Sequence, residues 1–454
     1  MSFLADILSS IAERGKSLVD FDQVPGSARS VEHLDGLCDR LLSGAGEASG
    51  LAIASEILHI YASLDDEAKT GFFKSLAGNY GPDFGAMETA AQAFLDTPGA
   101  VSANLLHRAS EPRRQEVFRR LNQAPGGTGR LISMRTDLLA RLRADPDLAL
   151  VDDDLRHLLS SWFNRGFLEL RRINWQTPAA TLEKIIEYEA VHEITDWDDL
   201  RRRIDPPDRR LYAFFHPRLA DEPLIFVEVA LTGKIPDSID SILNPDREIV
   251  DPKDAKVAVF YSISNCQTGL RGISFGNFLI KQVVEDLSAE LRTLKQYVTL
   301  SPIPGFARWL GEQAEELGGE AAEVLGYLAM EDWWKDADLE KRIKKWLEPA
   351  VGYYLVEARS KRGRVIDPVA RFHLGNGARL ERINWLADTG PAGLTAAYGL
   401  MVNYLYKLDE IEKNHEKFAS GQTVSASQAV TKLSRAATGL EPKPEAEKTK
   451  GENA

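Results

Sequence analysis

Val257-Ala258-Val259-Phe260-Tyr261-Ser262-Ile263-Ser264 leads into Asn265-Cys266-Gln267-Thr268-Gly269-Leu270-Arg271-Gly272-Ile273-Ser274-Phe275-Gly276-Asn277, and beyond one helical stretch comes Tyr297-Val298-Thr299-Leu300-Ser301-Pro302-Ile303-Pro304-Gly305-Phe306. The first segment is an apolar run of strand length, and the glycines of the second mark a loop. From about Phe278 to Leu294, the residues Leu279, Val283, Leu287 and Leu291 recur at four-residue spacing, the apolar stripe of an amphipathic helix. Tyr297 to Leu300 is a second strand, closed by two prolines. Strand, helix and strand in this order predict a parallel crossover. A glycine loop that opens a helix presents N–H groups and the positive end of the helix dipole to an anion such as phosphate. Arg271 adds a forked donor. The plainer alternative is a strand–helix loop whose glycines only serve turns. A Walker A loop is excluded because no Gly-Lys-Ser/Thr follows, and the GxGxxG dinucleotide pattern is absent.

Upstream, Arg210 to His216 and Leu224 to Leu231 precede Lys256 to Ser264, and three consecutive strands predict an antiparallel meander. Phe167 to Trp175 also reads as a strand. A helix is predicted from Thr177-Pro178 to about His192, with the threonine as N-cap and the proline at the first helical position. Asp198 to Ile204 reads as a basic helix. From Phe3 to about Phe163 the apolar spacing is helical throughout, as in Leu51, Ala54, Ile57, Leu58 and Tyr61. Breakers such as Gly81-Pro82, Thr97-Pro98-Gly99, Pro125-Gly126-Gly127 and Asp145-Pro146 divide it into six to eight helices. The chain past Phe306 is helical again to about Tyr354, and the residues after Leu440 carry too few apolar side chains to fold. The expected fold class is α+β: an all-helical domain at 1–163, a mixed α/β domain at 164–440, and a disordered tail at 441–454.

The formal net charge of −13 argues against nucleic acid, whose phosphates are bound through basic surface. Two cysteines, Cys38 and Cys266, lie far apart without a CxxC pair, which excludes a disulfide framework and a thiolate zinc site. No histidine stands in a metal spacing such as HExxH, so no metal is expected. No run of about 18 apolar residues exists to span a membrane. The start carries Asp6 and no basic region, unlike a signal peptide.

Gly272-Ile273-Ser274-Phe275-Gly276 matches the G-x-S-x-G nucleophile elbow. That elbow needs a strand running straight into it and a parallel sheet upstream. Here Asn265 to Arg271 intervene and the upstream region is helical, so the motif is set aside. Ser301 ends a strand and is fixed by Pro302; on spacing alone it is a turn serine. His373, with Gly375 and Gly377 close behind, is read as lying on a tight loop that a ligand can approach.

Together, Tyr261-Ser262-Ile263-Ser264, Gln267 to Gly272, Gly276 to Lys281, Leu300-Ser301-Pro302-Ile303-Pro304-Gly305-Phe306, His373-Leu374-Gly375-Asn376-Gly377-Ala378 and Arg382-Ile383-Asn384-Trp385 resemble the malonyl-CoA decarboxylase family. Glu189 to His192 and Val229 to Gly233 fit as well, and the likeness spans most of residues 160 to 440. It implies that the second domain is GNAT-like and that the glycine loop holds the pyrophosphate of coenzyme A. Contacts to the acyl-CoA then fall on Arg271, Gly272, Ile273, Ser274, Phe275, Gly276 and Asn277, with Tyr406 as an active-site tyrosine. Ser301 and His373 become the catalytic pair. Ser274 stands where some relatives carry an acidic residue, which puts an acidic role at that position in doubt. The resemblance implies a carboxy-lyase of fatty acid metabolism that converts malonyl-CoA to acetyl-CoA and carbon dioxide. It needs no cofactor beyond the coenzyme A of its substrate. A homotetramer built through the helical domain and a cytoplasmic, bacterial-type enzyme without a peroxisomal ending are implied too. A GNAT-type acyltransferase using coenzyme A and a non-catalytic acyl-CoA-binding protein are the alternatives.

Overall fold

Nine α-helices lie between Phe3 and Trp162 among the described residues, one more than the breakers predict. The computed structural model describes residues 3–17, 19, 30–44, 46–219, 221–273, 278–317 and 319–437. The helices start where short polar side chains can accept an N–H: Asp65 from Ala68 and Asp83 from Ala86, at 2.8 and 3.0 Å. Leu37, Ile57, Phe72, Phe118, Leu131 and Leu155 from six of them meet in one core. Ala54, Ile57, Leu58 and Tyr61 join that core and Leu51 is buried too, as their spacing requires. The hairpin of helices Phe84–Asp96 and Ala100–Ala109 differs. It buries only Ala90 and leaves Phe84, Leu95 and Val101 at least 70% exposed.

The rest of the chain wraps an eight-stranded mixed sheet. Its strands are β1 (Glu169–Ile173), β2 (Arg209–Phe215), β3 (Ile225–Thr232), β4 (Val257–Asn265), β5 (Gln296–Thr299), β6 (Ser301–Pro302), β7 (Arg379–Asn384) and β8 (Met401–Tyr406). β1 to β4 form an antiparallel meander. The helix Phe278–Glu290 then crosses over and returns β5 parallel to β4, as predicted. Leu279, Val283 and Leu287 pack one face of that helix into the main core. β8 pairs antiparallel with β5, β6 and β7. A helical domain followed by a mixed α/β domain is therefore the architecture.

Two local expectations change. The helix expected from Thr177-Pro178 spans Ala179–Tyr188, with Pro178 outside it at the cap. The Thr177 hydroxyl instead accepts the Asn174 N–H at 3.1 Å, closing the turn before the helix. His373 lies in the helix Pro368–Gly375, not on a loop. The glycines that suggested a loop end that helix: Gly377 has φ +82°, and a Cβ on it would lie 2.2 Å from the Ile411 carbonyl oxygen.

Ile132, Leu159 and Phe163 of the helical domain pack into the core of the sheet domain, and a buried arginine ties the two together. Arg135, 1% exposed and held by Asp152 at 2.7 Å, donates to the carbonyls of Gly269 and Arg271 at 2.7 and 2.9 Å. A Cβ at Gly269 would stand 2.0 Å from the Ile132 carbonyl oxygen, so only glycine fits.

Candidate active site

β4 and β5 pair only from Val257 opposite Gln296 to Phe260 opposite Thr299. The next bond is Leu300 N–H to the Phe260 carbonyl at 3.0 Å. Beyond it β4 continues to Asn265, while the other strand leans away as β6 and pairs with β8. A register shift in the β3–β4 ladder adds to this divergence. Val229 faces Phe260 and Glu228 faces Ser262, which leaves Tyr261 as an extra residue that bends the strand. The result is a cleft at the carboxyl ends of two parallel strands, a place where open α/β sheets bind ligands. It holds a cavity of about 260 Å³ with apolar walls from Ile225, Phe260, Ile263, Pro302, Val369 and Phe372. Asn265, Ser301 and His373 are polar residues on its lining, and among the described residues no lysine or arginine lines it.

Ser301 is aimed into this cleft by its strand and His373 by its helix. Asp367 starts that helix by accepting the Ala370 N–H at 2.8 Å, and Pro368 takes the first position, where its missing N–H costs nothing. His373 falls in the last turn. Its Nε2 lies 3.2 Å from Ser301 Oγ and its Nδ1 lies 2.8 Å from the Tyr406 hydroxyl. Tyr404 stacks on the ring, with centroids 4.7 Å apart and planes at 25°. Ser301 Oγ also donates to Thr299 Oγ1 at 2.8 Å, and Thr299 Oγ1 accepts the Tyr404 N–H at 3.2 Å.

The electrostatics fix the protonation. His373 is 3% exposed, and burial pushes its pKa down to about 3, so the ring is neutral at physiological pH. Burial raises the Tyr406 phenol, which keeps its proton. We assign the tautomer from these partners: Tyr406 donates to Nδ1, and the ring's single proton sits on Nε2, facing Ser301 and the cavity.

The structure thus brings Ser301, His373 and Tyr406 into one chain of contacts, but Tyr406 stands behind the histidine and does not line the cavity. Arg271, Gly272 and Ile273 do not line it either. Gly269, expected to let a ligand approach, instead lets the loop approach Ile132; Gly272 does adopt a left-handed φ of +80°. Ser274, Phe275, Gly276 and Asn277 lie outside the described residues. Several contributors carried no signal of their own in the sequence, namely Thr299, Tyr404 and Phe372, and Glu189 entered only through the family resemblance. The buried Glu189 carboxylate accepts from Ser262 at 2.8 Å, Ser264 at 3.1 Å and the N–H groups of Val191 and His192 at 2.9 and 2.8 Å. It thereby pins the segment whose Val191 forms part of the cavity wall. Among the described residues no group of three or more His, Cys, Asp or Glu is placed to hold a metal ion.

Comparison with known proteins places the chain in a family. The family model for the malonyl-CoA decarboxylase C-terminal domain matches residues 166–448, and that for the N-terminal domain matches residues 80–163. The chain belongs to the malonyl-CoA decarboxylase family. It is 52% identical to the malonyl-CoA decarboxylase of Rhodopseudomonas palustris, whose crystal structure superposes with a TM-score of 0.86 over 89% of this chain and 99% of that one. The Agrobacterium vitis malonyl-CoA decarboxylase is 51% identical, with a TM-score of 0.84 over 88% and 99%. The mitochondrial malonyl-CoA decarboxylase of Rattus norvegicus is 36% identical over 84% of each chain.

Proposed function

We propose that Ser301 and His373 carry out the reaction of this family, in which malonyl-CoA becomes acetyl-CoA and carbon dioxide. One observation carries the assignment of residues: a neutral histidine, locked between a tyrosine and a serine, opens onto an apolar cavity at the splayed end of two parallel strands.

The thioester carbonyl is itself the electron sink, so the chemistry requires no cofactor beyond the substrate's own coenzyme A. The malonyl carboxylate enters walls that strip its water and supply no cation from the lining residues. Neutral carbon dioxide loses nothing there, so the environment favours departure. As the C–C bond breaks, its electron pair moves into the carbonyl and forms an enolate. His373 Nε2–H donates to the growing oxyanion; a neutral imidazole is a competent donor in such a role. One preorganised donor of this kind is worth about 3 kcal/mol. The α-carbon then takes the Nε2 proton while Tyr406 passes its own to Nδ1. The ring stays neutral throughout; Nδ1 then returns its proton to Tyr406 as Nε2 takes one from water, which restores the starting tautomer. Ser301 holds the imidazole and contacts the malonyl group. The glycine loop with Arg271 grips the coenzyme A pyrophosphate.

The helical domain is proposed to build a homo-oligomer, a tetramer by resemblance. The exposed apolar residues of the hairpin Phe84–Asp96 and Ala100–Ala109 support that reading. The two free, buried cysteines support a reducing, cytoplasmic setting.

Purified protein mixed with malonyl-CoA alone should yield acetyl-CoA. Ser301→Ala and His373→Ala should each lower kcat by about 10²-fold or more with an unchanged circular dichroism spectrum. Near-wild-type turnover in either variant would remove it from the chemistry. Product seen only after an amine acceptor is added would mark an acyltransferase instead.

A further inference from the structure

A second cavity lies away from the substrate cleft. It measures about 130 Å³, and four arginines line it: Arg202, Arg203, Arg209 and Arg247, together with Asp199 and Asn244. It sits at the end of the sheet where β2 begins and β3 finishes, since Arg209 pairs with Ala230 and Thr232 with Val257. The glycine loop leaves β4 from the opposite end, after Asn265. The cavity is therefore not an extension of the coenzyme A cradle.

Its charges do not balance. The carboxylates paired with these four guanidinium groups are Asp199, Asp208 and Glu228. Arg203 is fully engaged, bonded to Glu228 at 3.2 Å, to Asp199 at 3.2 Å and to the Glu193 carbonyl at 2.8 Å. Arg247 grips Asp208 with both nitrogens, at 2.5 and 3.0 Å. Arg209 is left short. It is 3% exposed, yet its hydrogen-bond acceptors are two backbone carbonyls, those of Asp208 and Ile242, at 3.3 and 2.6 Å. Among the described residues the one carboxylate within 4 Å, Asp208, is 3.7 Å away and already serves Arg247. Burial pushes the Arg209 pKa below the ordinary guanidinium value, and the nearby Asp208 and Glu228 charges do not fully offset this. A buried unpaired charge is costly, and structures normally neutralise it. Arg202 at the rim is half exposed and, among the described residues, meets only the Asp199 carboxylate, at 3.5 Å, so it can turn inward.

We propose that this cavity is a binding site for a free tetrahedral oxyanion of the phosphate class, held between Arg202, Arg209 and Arg247. Forked guanidinium donors match such an anion. The cavity has the volume of a few water molecules, which a phosphate ion fills and a nucleotide exceeds. The network also reaches the substrate site. Arg203 holds Glu228, and Glu228 is the charged neighbour of Tyr261, a wall of the substrate cavity.

The test uses the full-length protein saturated with coenzyme A, so that the pyrophosphate cradle is already filled. Inorganic phosphate is titrated against chloride at constant ionic strength, with the thermal midpoint as readout. The wild type should show a saturable rise. Arg202→Gln, whose side chain has no buried partner, should bind phosphate roughly tenfold more weakly, the loss of one charge-assisted contact. Its malonyl-CoA turnover should be unchanged. Crystals of the coenzyme A complex soaked in selenate should show an anomalous peak between Arg202, Arg209 and Arg247, a readout that needs no variant. A wild-type midpoint that does not respond, an equal response in Arg202→Gln, or a selenate peak elsewhere would overturn the site.

Discussion

Replacing Tyr406 by phenylalanine removes one hydroxyl from the active site and leaves the ring that packs 6.4 Å from Phe260. That hydroxyl is 2.8 Å from His373 Nδ1, inside a site where the histidine is 3% exposed. Solvent is poorly placed to replace it, so Nδ1 becomes a buried acceptor without a donor, a cost of about 1–3 kcal/mol. The loss should appear mainly in the transition state, because Nδ1 must take a proton as Nε2 gives one up. Converted to rate, it is a fall in kcat of roughly 5- to 150-fold. KM should stay within about twofold, since Tyr406 does not line the cavity. Steady-state acetyl-CoA formation gives both constants, and nitrogen-15 NMR of the histidine reports whether the Nε2–H tautomer loses its majority. A kcat within twofold of wild type would refute the relay. A raised KM with kcat intact would instead return Tyr406 to the direct substrate contact that the family resemblance implied.

Other outcomes follow from the same geometry. Because His373 is neutral down to about pH 3, kcat should be level between about pH 5 and 8; a climb toward acid would mean that imidazolium is the proton donor. Stability should respond where activity does not. Burial holds His373 and His192 at about 3 and 4 in the folded protein, below the ordinary histidine value of 6.5. Below pH 6.5 the unfolded chain therefore binds protons that the folded chain refuses. Their contribution is complete above that pH and drains away toward pH 3–4, at about 1.4 kcal/mol for each tenfold difference in proton affinity between the two states. Urea midpoints that do not move between pH 7.5 and 5 would contradict this. Arg271→Ala should raise KM for malonyl-CoA and spare kcat, and an unchanged KM would take Arg271 out of the coenzyme A contacts. Gly269→Ala should cost about 3 kcal/mol in chemical denaturation, because its Cβ would strike the Ile132 carbonyl; wild-type stability would show that the domain junction yields.

The crossover of β4, helix and β5 was readable because its apolar period changes from strand to helix and back within one short stretch. The helical domain was readable for the same reason, although the number of helices was not, since breakers mark only some of the ends. The bulge at Tyr261 left no trace, because an extra residue in a strand changes neither composition nor alternation enough to be seen in one sequence. His373 was misplaced on a loop because Pro368–Gly375 is barely two turns long, too short to show a helical period, while the glycines after it are conspicuous. The contacts among the proposed catalytic residues join positions 72 and 33 apart, Ser301 to His373 and His373 to Tyr406. Nothing local encodes such pairs; only the family resemblance pointed to these residues, and only the fold shows that the tyrosine stands behind the histidine.

The glycine loop shows why a separate helical domain should matter to a reaction carried out in the other one. The proposed reaction needs two positions held at a fixed separation: the point where coenzyme A would be gripped and the point where its acyl group would meet Ser301 and His373. The second is set inside the sheet domain by β6, β8 and the helix Pro368–Gly375. The approach to the first is set from outside it. Arg135 binds the carbonyls of Gly269 and Arg271, and Gly269 has no side chain so that the loop can lie against Ile132. Arg135 is itself locked by Asp152, so the anchor is a rigid part of the helical core rather than a flexible surface contact. If the loop grips coenzyme A as proposed, a shift of the helical domain would move the start of the cradle relative to the catalytic pair. Misplacing a reactant by about 1 Å can cost on the order of 10²-fold in rate. The domain junction is then part of the active site's geometry, though it touches no reacting atom.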